Sequence, residues 1–342
     1  MDADTGIAAS VAFVTSAILT GVMRRFALVH SVLDVPNERS SHSTATPRGG
    51  GLAIVLVVSA AIAILASLAR VQPRLLMALL GGIAVAGIGF VDDRRSVRAG
   101  LRLAVHAGAA LWALVWVGGL PVLRVGDQIL QLGWAGDALA LLGIVWTLNL
   151  FNFMDGIDGI AASEAAFVAF AGAALSLSGG HASNASATAP VFGAACCGFL
   201  VWNWPPAKIF LGDVGSGYLG YVIAVLALDA ARDNPVAIWI WLLLGGVFFV
   251  DATVTLIRRL VRGEHVHEAH RSHAYQWLAR RWRSHRRVTV TVTILNVAWL
   301  LPCAFLAQRH PGNAAWIALG ALLPIVLLAL IAGAGRSETP RK

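Results

Sequence analysis

Apolar residues in this chain neither alternate nor recur on one helical face. They come in long runs separated by short polar links that carry arginine and glycine. A helix of roughly 20 such residues crosses a hydrocarbon core about 30 Å thick, and in lipid each backbone group has to find its partner within the segment. The pattern therefore predicts eleven helices, over 7–29, 51–69, 75–91, 101–120, 137–154, 160–178, 189–204, 214–229, 235–257, 288–306 and 314–334. The shorter runs, such as 189–204, are expected to tilt into the bundle or to re-enter part of the way. From Val122 to Trp134 apolar and polar residues alternate, as in a short hairpin lying at the surface. No internal repeat is found, and the longest polar stretch, Arg258 to Arg287, is too short to build a core of its own. The expected fold is an all-α integral membrane protein, one polytopic domain over residues 1–342 with about eleven transmembrane helices, or ten if one run does not cross.

Composition sharpens this reading. With 58% hydrophobic residues, 13% charged residues and a mean hydropathy of +0.73, a water-soluble domain of this length is excluded. The net charge of +8 comes from basic residues that border the helices, so anionic lipid headgroups and an anionic substrate account for it, and nucleic acid does not. Only Arg70, Arg74, Arg124, Arg232 and Arg309 fall on one side of the expected membrane; the rest of the 26 basic residues fall on the other. Such an excess marks the cytoplasmic side, which places the N-terminus outside and the C-terminus in the cytoplasm. The acidic start Met1-Asp2-Ala3-Asp4 argues for a retained first helix rather than a cleaved signal peptide. Cys196, Cys197 and Cys303 lie inside apolar runs and read as small core residues.

The acidic residues point to chemistry. Carboxylates beside a bilayer are costly and usually hold a cation, a proton or a phosphate-bearing ligand. Here Asp34, the Asp92-Asp93 pair, Asp155 with Asp158, and Asp213 all stand at ends of apolar runs, within the expected cytoplasmic loops 30–50, 92–100, 155–159, 205–213 and 258–287. In the first loop Asn37, Arg39 and His42 precede Arg48-Gly49-Gly50-Gly51, where glycines entering a helix expose amides and a positive dipole end that can receive a phosphate. A glycine-rich turn with basic flanks is the alternative. Asp92 and Asp93 end a helix, where acidic groups are disfavoured, so a metal ion or a basic partner should offset them; Arg94 and Arg95 supply the plainer reading of a salt-bridged turn.

The run Asn149-Leu150-Phe151-Asn152-Phe153-Met154-Asp155-Gly156-Ile157-Asp158-Gly159 is more specific. Its Asn149, Asn152 and Asp155 recur every third residue and form a polar ladder on one helix face, while Gly156 and Gly159 permit close backbone approach to a ligand. Asp213, between Gly212 and Val214-Gly215 at a helix start, suits either a metal ligand or an N-cap, and would be a third oxygen donor for one site. Finally, Glu264 to Gln276 carries four of the ten histidines without a cysteine, so anion contact by His270, Arg271 and His273, or proton movement, is expected ahead of zinc binding.

In this order and spacing, from about Asp34 to Gln276, the five motifs resemble the polyprenyl-phosphate N-acetylhexosamine-1-phosphate transferases. The resemblance implies transfer of a sugar 1-phosphate from a UDP-N-acetyl sugar to undecaprenyl phosphate with release of UMP, at the cytoplasmic face of the bacterial inner membrane. It implies magnesium, or manganese in its place, with Asp213 as direct ligand supported by Asp155 or Asp158. It assigns catalytic work to Asp92, Asp93, Asp155, Asp158, His270 and His273, and substrate binding to Asn37, Arg39, His42, Arg48, Gly49, Gly50, Asn149, Asn152 and Arg271. Membrane lipids are expected partners, nucleic acid is not, and a homodimer is compatible with the pattern. The branch that makes the peptidoglycan precursor has three consecutive histidines in its last inner loop, whereas this chain has Ala269-His270-Arg271-Ser272-His273-Ala274, as in the branch that starts O-antigen or related surface glycans. A transporter would place charges near mid-bilayer and show paired repeats. A CDP-alcohol phosphotransferase would need further aspartates after Gly159, which Ile160 to Ala165 lack.

Overall fold

The computed structural model describes residues 3–35, 44–181, 183–264 and 270–337. The chain is almost wholly helical: α1 (Ala3–Val29), α2 (Gly51–Ser67), α3 (Pro73–Asp92), α4 (Ala99–Val117), α5 (Gly133–Met154), α6 (Ile160–Ser178), α7 (Asn184–Asn203) and α8 (Asp213–Asp233) follow one another. After them come α9 (Ala237–Leu244), α10 (Gly246–Val261), α11 (Ala274–Trp282), α12 (His285–Leu295), α13 (Leu301–Arg309) and α14 (Ala314–Ala332). Nine stretches among the described residues are long and apolar enough to cross a membrane, the bent pair α9–α10 makes a tenth, and the shorter apolar α2 completes the expected eleven. The protein is a multi-pass, all-α membrane protein.

Local chemistry explains where the boundaries depart from expectation. The helix expected to begin at 189 begins at Asn184 instead, because Ser183 and Ser186 form a capping box that satisfies its first amides. It is a full-length span with Pro190 inside it. The break falls instead in the run 235–257, where α9 and α10 meet at 76° across Gly245. The tenth run is continuous but contains a π-helical turn, Asn296–Leu300, before Pro302 near the start of α13. The hairpin between α4 and α5 is present, with β3 (Leu123–Val125) antiparallel to β4 (Gln128–Leu130); another antiparallel pair joins β1 (Leu33–Asp34) to β2 (Thr46–Pro47).

Helix α8 is the centre of the bundle. Of its most apolar window 89% is buried, against 17% for α1 and 33% for α14, which face outward. α3 and α5 pack on it most extensively, and α2, α6 and α7 touch it as well. Glycine makes these approaches close enough: a Cβ on Gly51 of α2 would strike Gly215 of α8, and one on Gly89 of α3 would strike the Asp213 backbone. Alternation of helix direction brings the ends of α3, α5 and α7 and the starts of α2, α4, α6 and α8 to one end of the bundle, and the described motif residues at these helix ends lie there.

Candidate active site

The start of α8 is where the acidic motifs meet. Gly212 adopts φ +77°, a left-handed conformation that favours glycine, and turns the chain so that the first amides of α8 point at α3. Asp93 receives them: its Oδ1 accepts from the Asp213 amide at 2.8 Å and its Oδ2 from the Val214 amide at 3.2 Å. A carboxylate from another helix thus does the work of an N-cap. Arg48 clamps the arrangement, with Nε 2.8 Å from Asp93 Oδ1 and Nη2 2.9 Å from Asp213 Oδ1. Burial pushes the Asp93 carboxyl up from its ordinary value, opposed by the Arg48 charge. Burial alone would lower the Arg48 guanidinium, but the negative charges of Asp93 and Asp213 outweigh it and raise it.

Asp92 turns the other way. Its Oδ1 accepts from the Val97 amide at 2.6 Å and its Oδ2 from Arg102 Nη1, which also lies 3.8 Å from Asp213 Oδ2. Asp92, Arg102 and Asp213 line a cavity of about 50 Å3 together with Asn149, Asn152 and His106. Two of the three rungs predicted on α5 are therefore in place: Asn149 and Asn152 line the cavity, while Asp155 follows the last residue of α5 and stands outside its lining. Asp155 is nevertheless close enough for Asp213 to act on it; desolvation first, and then that negative charge, push its carboxyl well above the usual range.

Other predicted residues have partners within the protein. Asp158 accepts from the Ala207 amide at 3.1 Å and sits 3.2 Å from His285 Nδ1, tying the start of α6 to the loop after α7 and to α12. The Gly50 and Gly51 amides, expected to face an anion, donate to the carbonyls of Phe210 and Leu211 at 2.9 Å, so these two glycines join α2 to the chain before α8. Gly49, at φ +94°, has open space beside its Cα. Gly156 approaches Tyr275 and Gly159 supplies the left-handed start of α6, so both serve packing and turning within the chain. Asn37, Arg39 and His42 lie outside the described residues.

The last motif closes over the end of α5. The His273 ring lies within 30° of parallel to those of Phe153, His270 and Tyr275, at centroid distances of 6.2, 5.0 and 5.7 Å, and Phe153 is also a wall of the cavity. Tyr275 donates from its hydroxyl to the Phe153 carbonyl at 2.8 Å. The loop's shape is set by Asp251 of α10, whose two oxygens accept from the Ala274 and Tyr275 amides at 2.8 and 3.0 Å, and whose Oδ1 is 3.4 Å from His273 Nδ1. His270 Nδ1 and the Ser272 hydroxyl are 2.9 Å apart, and the Arg271 carbonyl accepts from Arg280 at 2.9 Å.

Arg102, His106 and Asp251 were not singled out by motif. Asp251 carries a signal nonetheless, an acidic residue inside an apolar run. Arg102 and His106 are four apart, hence on one face of α4, and that spacing would have paired them.

Among the described residues no three His, Cys, Asp or Glu side chains converge as a ready-made metal site. The expected trio of acidic oxygen donors is interleaved with Arg48 and Arg102. Two carboxylates and two amides around one small cavity, flanked by two guanidiniums, suit a charged phosphate ligand that brings its own oxygens.

Comparison with known proteins agrees with this geometry. The sequence profile described as glycosyl transferase family 4 matches residues 75–231. The chain is 31% identical, over 85% of its length and 81% of the relative's, to a probable undecaprenyl-phosphate N-acetylglucosaminyl 1-phosphate transferase of Bacillus subtilis. It is 30% identical, over 93% and 87% of the two lengths, to a decaprenyl-phosphate N-acetylglucosaminephosphotransferase of Mycobacterium tuberculosis. A phospho-N-acetylmuramoyl-pentapeptide-transferase of Geobacillus kaustophilus is also 30% identical, over 74% and 82%. A cavity of aspartates and asparagines with one arginine at one end of a membrane bundle, and relatives matched over most of their length, lead to one conclusion: the chain belongs to glycosyl transferase family 4, among the polyprenyl-phosphate N-acetylhexosamine-1-phosphate transferases.

Proposed function

We propose that the protein transfers the sugar 1-phosphate of a UDP-N-acetylhexosamine, such as the N-acetylglucosamine, N-acetylfucosamine or N-acetylquinovosamine derivative, to undecaprenyl phosphate. An oxygen of the lipid phosphate attacks the phosphorus that bears the sugar. The bond from that phosphorus to the bridging oxygen breaks, and UMP leaves with the electron pair. The lipid diphosphate sugar that results starts an O-antigen or related envelope glycan, and the reaction runs on the cytoplasmic side of the inner membrane, the side favoured by the distribution of arginine. The observation that carries this reading is the cavity lined jointly by Asp92, Asp213, Asn149, Asn152 and Arg102.

Bringing two phosphate-bearing anions together is chiefly a matter of charge and alignment. Arg102 and Arg48, which in the free protein lean on Asp92, Asp93 and Asp213, are placed to turn to phosphoryl oxygens. Asp92 orients the incoming lipid phosphate. That phosphate is already largely ionised near neutrality, its second pKa being about 6, so a single in-line displacement needs no strong base.

The donors fit magnesium, or manganese in its place: such an ion takes one or two carboxylates and completes its shell with substrate phosphates and water. Asp213 and the Asn152 amide oxygen would hold it, with the Asp155 charge close by. When bound, the ion supplies neutralisation of the negative charge gathering on the transferred group.

Purified protein incubated with undecaprenyl phosphate and a panel of UDP-N-acetyl sugars should release UMP with one of them, lose that activity on chelation and regain it with magnesium. Asp213→Asn should lower the rate by about 100-fold or more, as loss of a group stabilising the transition state does. UMP release that survives both chelation and Asp213→Asn would remove the metal and Asp213 from the reading, and no UMP release with any of the sugars would sink it. Turnover of UDP-MurNAc-pentapeptide alone would move the protein to the peptidoglycan branch.

A further inference from the structure

The loop that carries His270 and His273 is held by its backbone from three sides. Arg280 of α11 holds the Arg271 carbonyl, and Asp251 of α10 holds the Ala274 and Tyr275 amides. The third hold comes from the turn after α14. There Gly333, Ala334 and Gly335 are buried, and the Gly335 amide donates to the Ser272 carbonyl at 2.7 Å. Two arginines at the end of α10 fasten this turn in its place. Arg258 Nη1 donates to the Ala334 carbonyl at 2.6 Å, and Arg262 Nη1 donates to that of Gly335. Gly335 itself stands at φ +66°, where a side chain is strained, and a Cβ there would come within 2.8 Å of the Arg258 Cβ. The turn has little room to shift, and so neither has Ser272.

Ser272 is only 4% accessible, and what it touches is a ring. Its hydroxyl lies 2.9 Å from His270 Nδ1, and its amide donates to the same nitrogen at 3.4 Å. An amide can only donate, so Nδ1 is an acceptor and the hydroxyl donates to it as well. The bond made by one nitrogen of a neutral imidazole decides where the proton sits on the other. With Nδ1 accepting, the proton of His270 is on Nε2.

Building on the proposed activity, we infer that Ser272, held by the turn after α14, is a positioning residue for the transfer: it fixes the His270 ring so that Nε2–H is the donor offered to a phosphoryl oxygen of the substrate. An ionised phosphate oxygen accepts and does not donate. A ring at liberty to exchange tautomers would present a lone pair to it part of the time.

The test follows UMP release by the purified full-length protein together with the 15N spectrum of its imidazoles at alkaline pH, the His270 signals being those that vanish in His270→Ala. The wild type should show one neutral tautomer for this ring, protonated at Nε2. Ser272→Ala should show a mixture of tautomers and lose about 10-fold in kcat/KM for the UDP-sugar, the usual size of one hydrogen bond to a charged group. Ser272→Thr keeps the hydroxyl and should recover most of both. Gly335→Ala, which disturbs the turn, should change the spectrum and the rate in the same direction as Ser272→Ala. Neither substitution should lower turnover further in the His270→Ala background, because both act through that ring. Losses that simply add to that of His270→Ala, as a merely structural contact would give, or a His270 spectrum unchanged by Ser272→Ala, would overturn the inference while the transferase reading stands. Where His270→Ala is inactive, the spectra decide. Absence of UMP release from the wild-type protein with every sugar would remove the transferase reading itself.

Discussion

Successive residues of a helix point about 100° apart, so Asp92 and Asp93, neighbours at the end of α3, cannot both face the cavity. Asp93 faces α8 and accepts its first two amides; Asp92 faces Arg102 and the cavity. The pair should therefore fail in different ways. Asp93→Ala removes a cap and leaves Arg48 short of a partner, so thermal melts in detergent should show a loss of about 1–2 kcal/mol together with lost activity. Asp92→Asn should melt close to wild type while UMP release falls steeply; a melting loss as large as that of Asp93→Ala would contradict this division. Asp155 supplies a pH signature. Desolvation and the Asp213 charge raise its folded-state value above the ordinary 3.8, so its contribution to stability is full below that pH and is lost as pH rises through the raised value. Asp155→Asn, neutral throughout, should accordingly match wild type near pH 4 and melt increasingly higher than wild type toward pH 8, in magnesium-free buffer. A melting difference that is flat across this range would count against a desolvated carboxylate.

At the scale of elements, the site depends on how nearly α2, α3 and α8 touch. The Cβ of any substituent at Gly89 would meet the backbone of Asp213 and Val214, groups that cannot swing aside. Gly89→Ala should thus displace α3 from α8, costing about 1–3 kcal/mol in melting experiments and disabling turnover, whereas Gly87→Ala, which meets open space, should do neither. The number and rough placement of the helices were legible in sequence because each span is a long apolar run. The break at Gly245 was not, since the apolar pattern runs straight through the 76° bend. Motif residues were legible, yet their division of labour was less so. Gly50, Gly51, Gly156 and Asp158 look like ligand-binding residues by type and spacing, but their partners come from distant segments that spacing does not reveal. The three residues missed by motif show the converse. Arg102 and His106 take their meaning from facing α3, α5 and α8, and Asp251 from holding amides more than twenty residues later in the chain.

For the whole molecule, the arginine distribution predicts that the motif-bearing end and the C-terminus share one compartment. Single cysteines placed near Arg95 and near the C-terminus should both be labelled by an impermeant thiol reagent only in inverted membranes, and one near Arg124 only in right-side-out membranes; any other pattern would reverse the orientation. Helix α8 gives a last consequence. It starts at the candidate site and is sheathed on nearly every side by other helices, while α1 and α14 are largely exposed on the outside of the bundle. Its first turn is thereby insulated from the thickness and composition of the surrounding bilayer. Moving the protein between thin and thick membranes should alter how readily the isoprenoid partner arrives, and leave the pace of bond exchange in the saturated enzyme nearly constant.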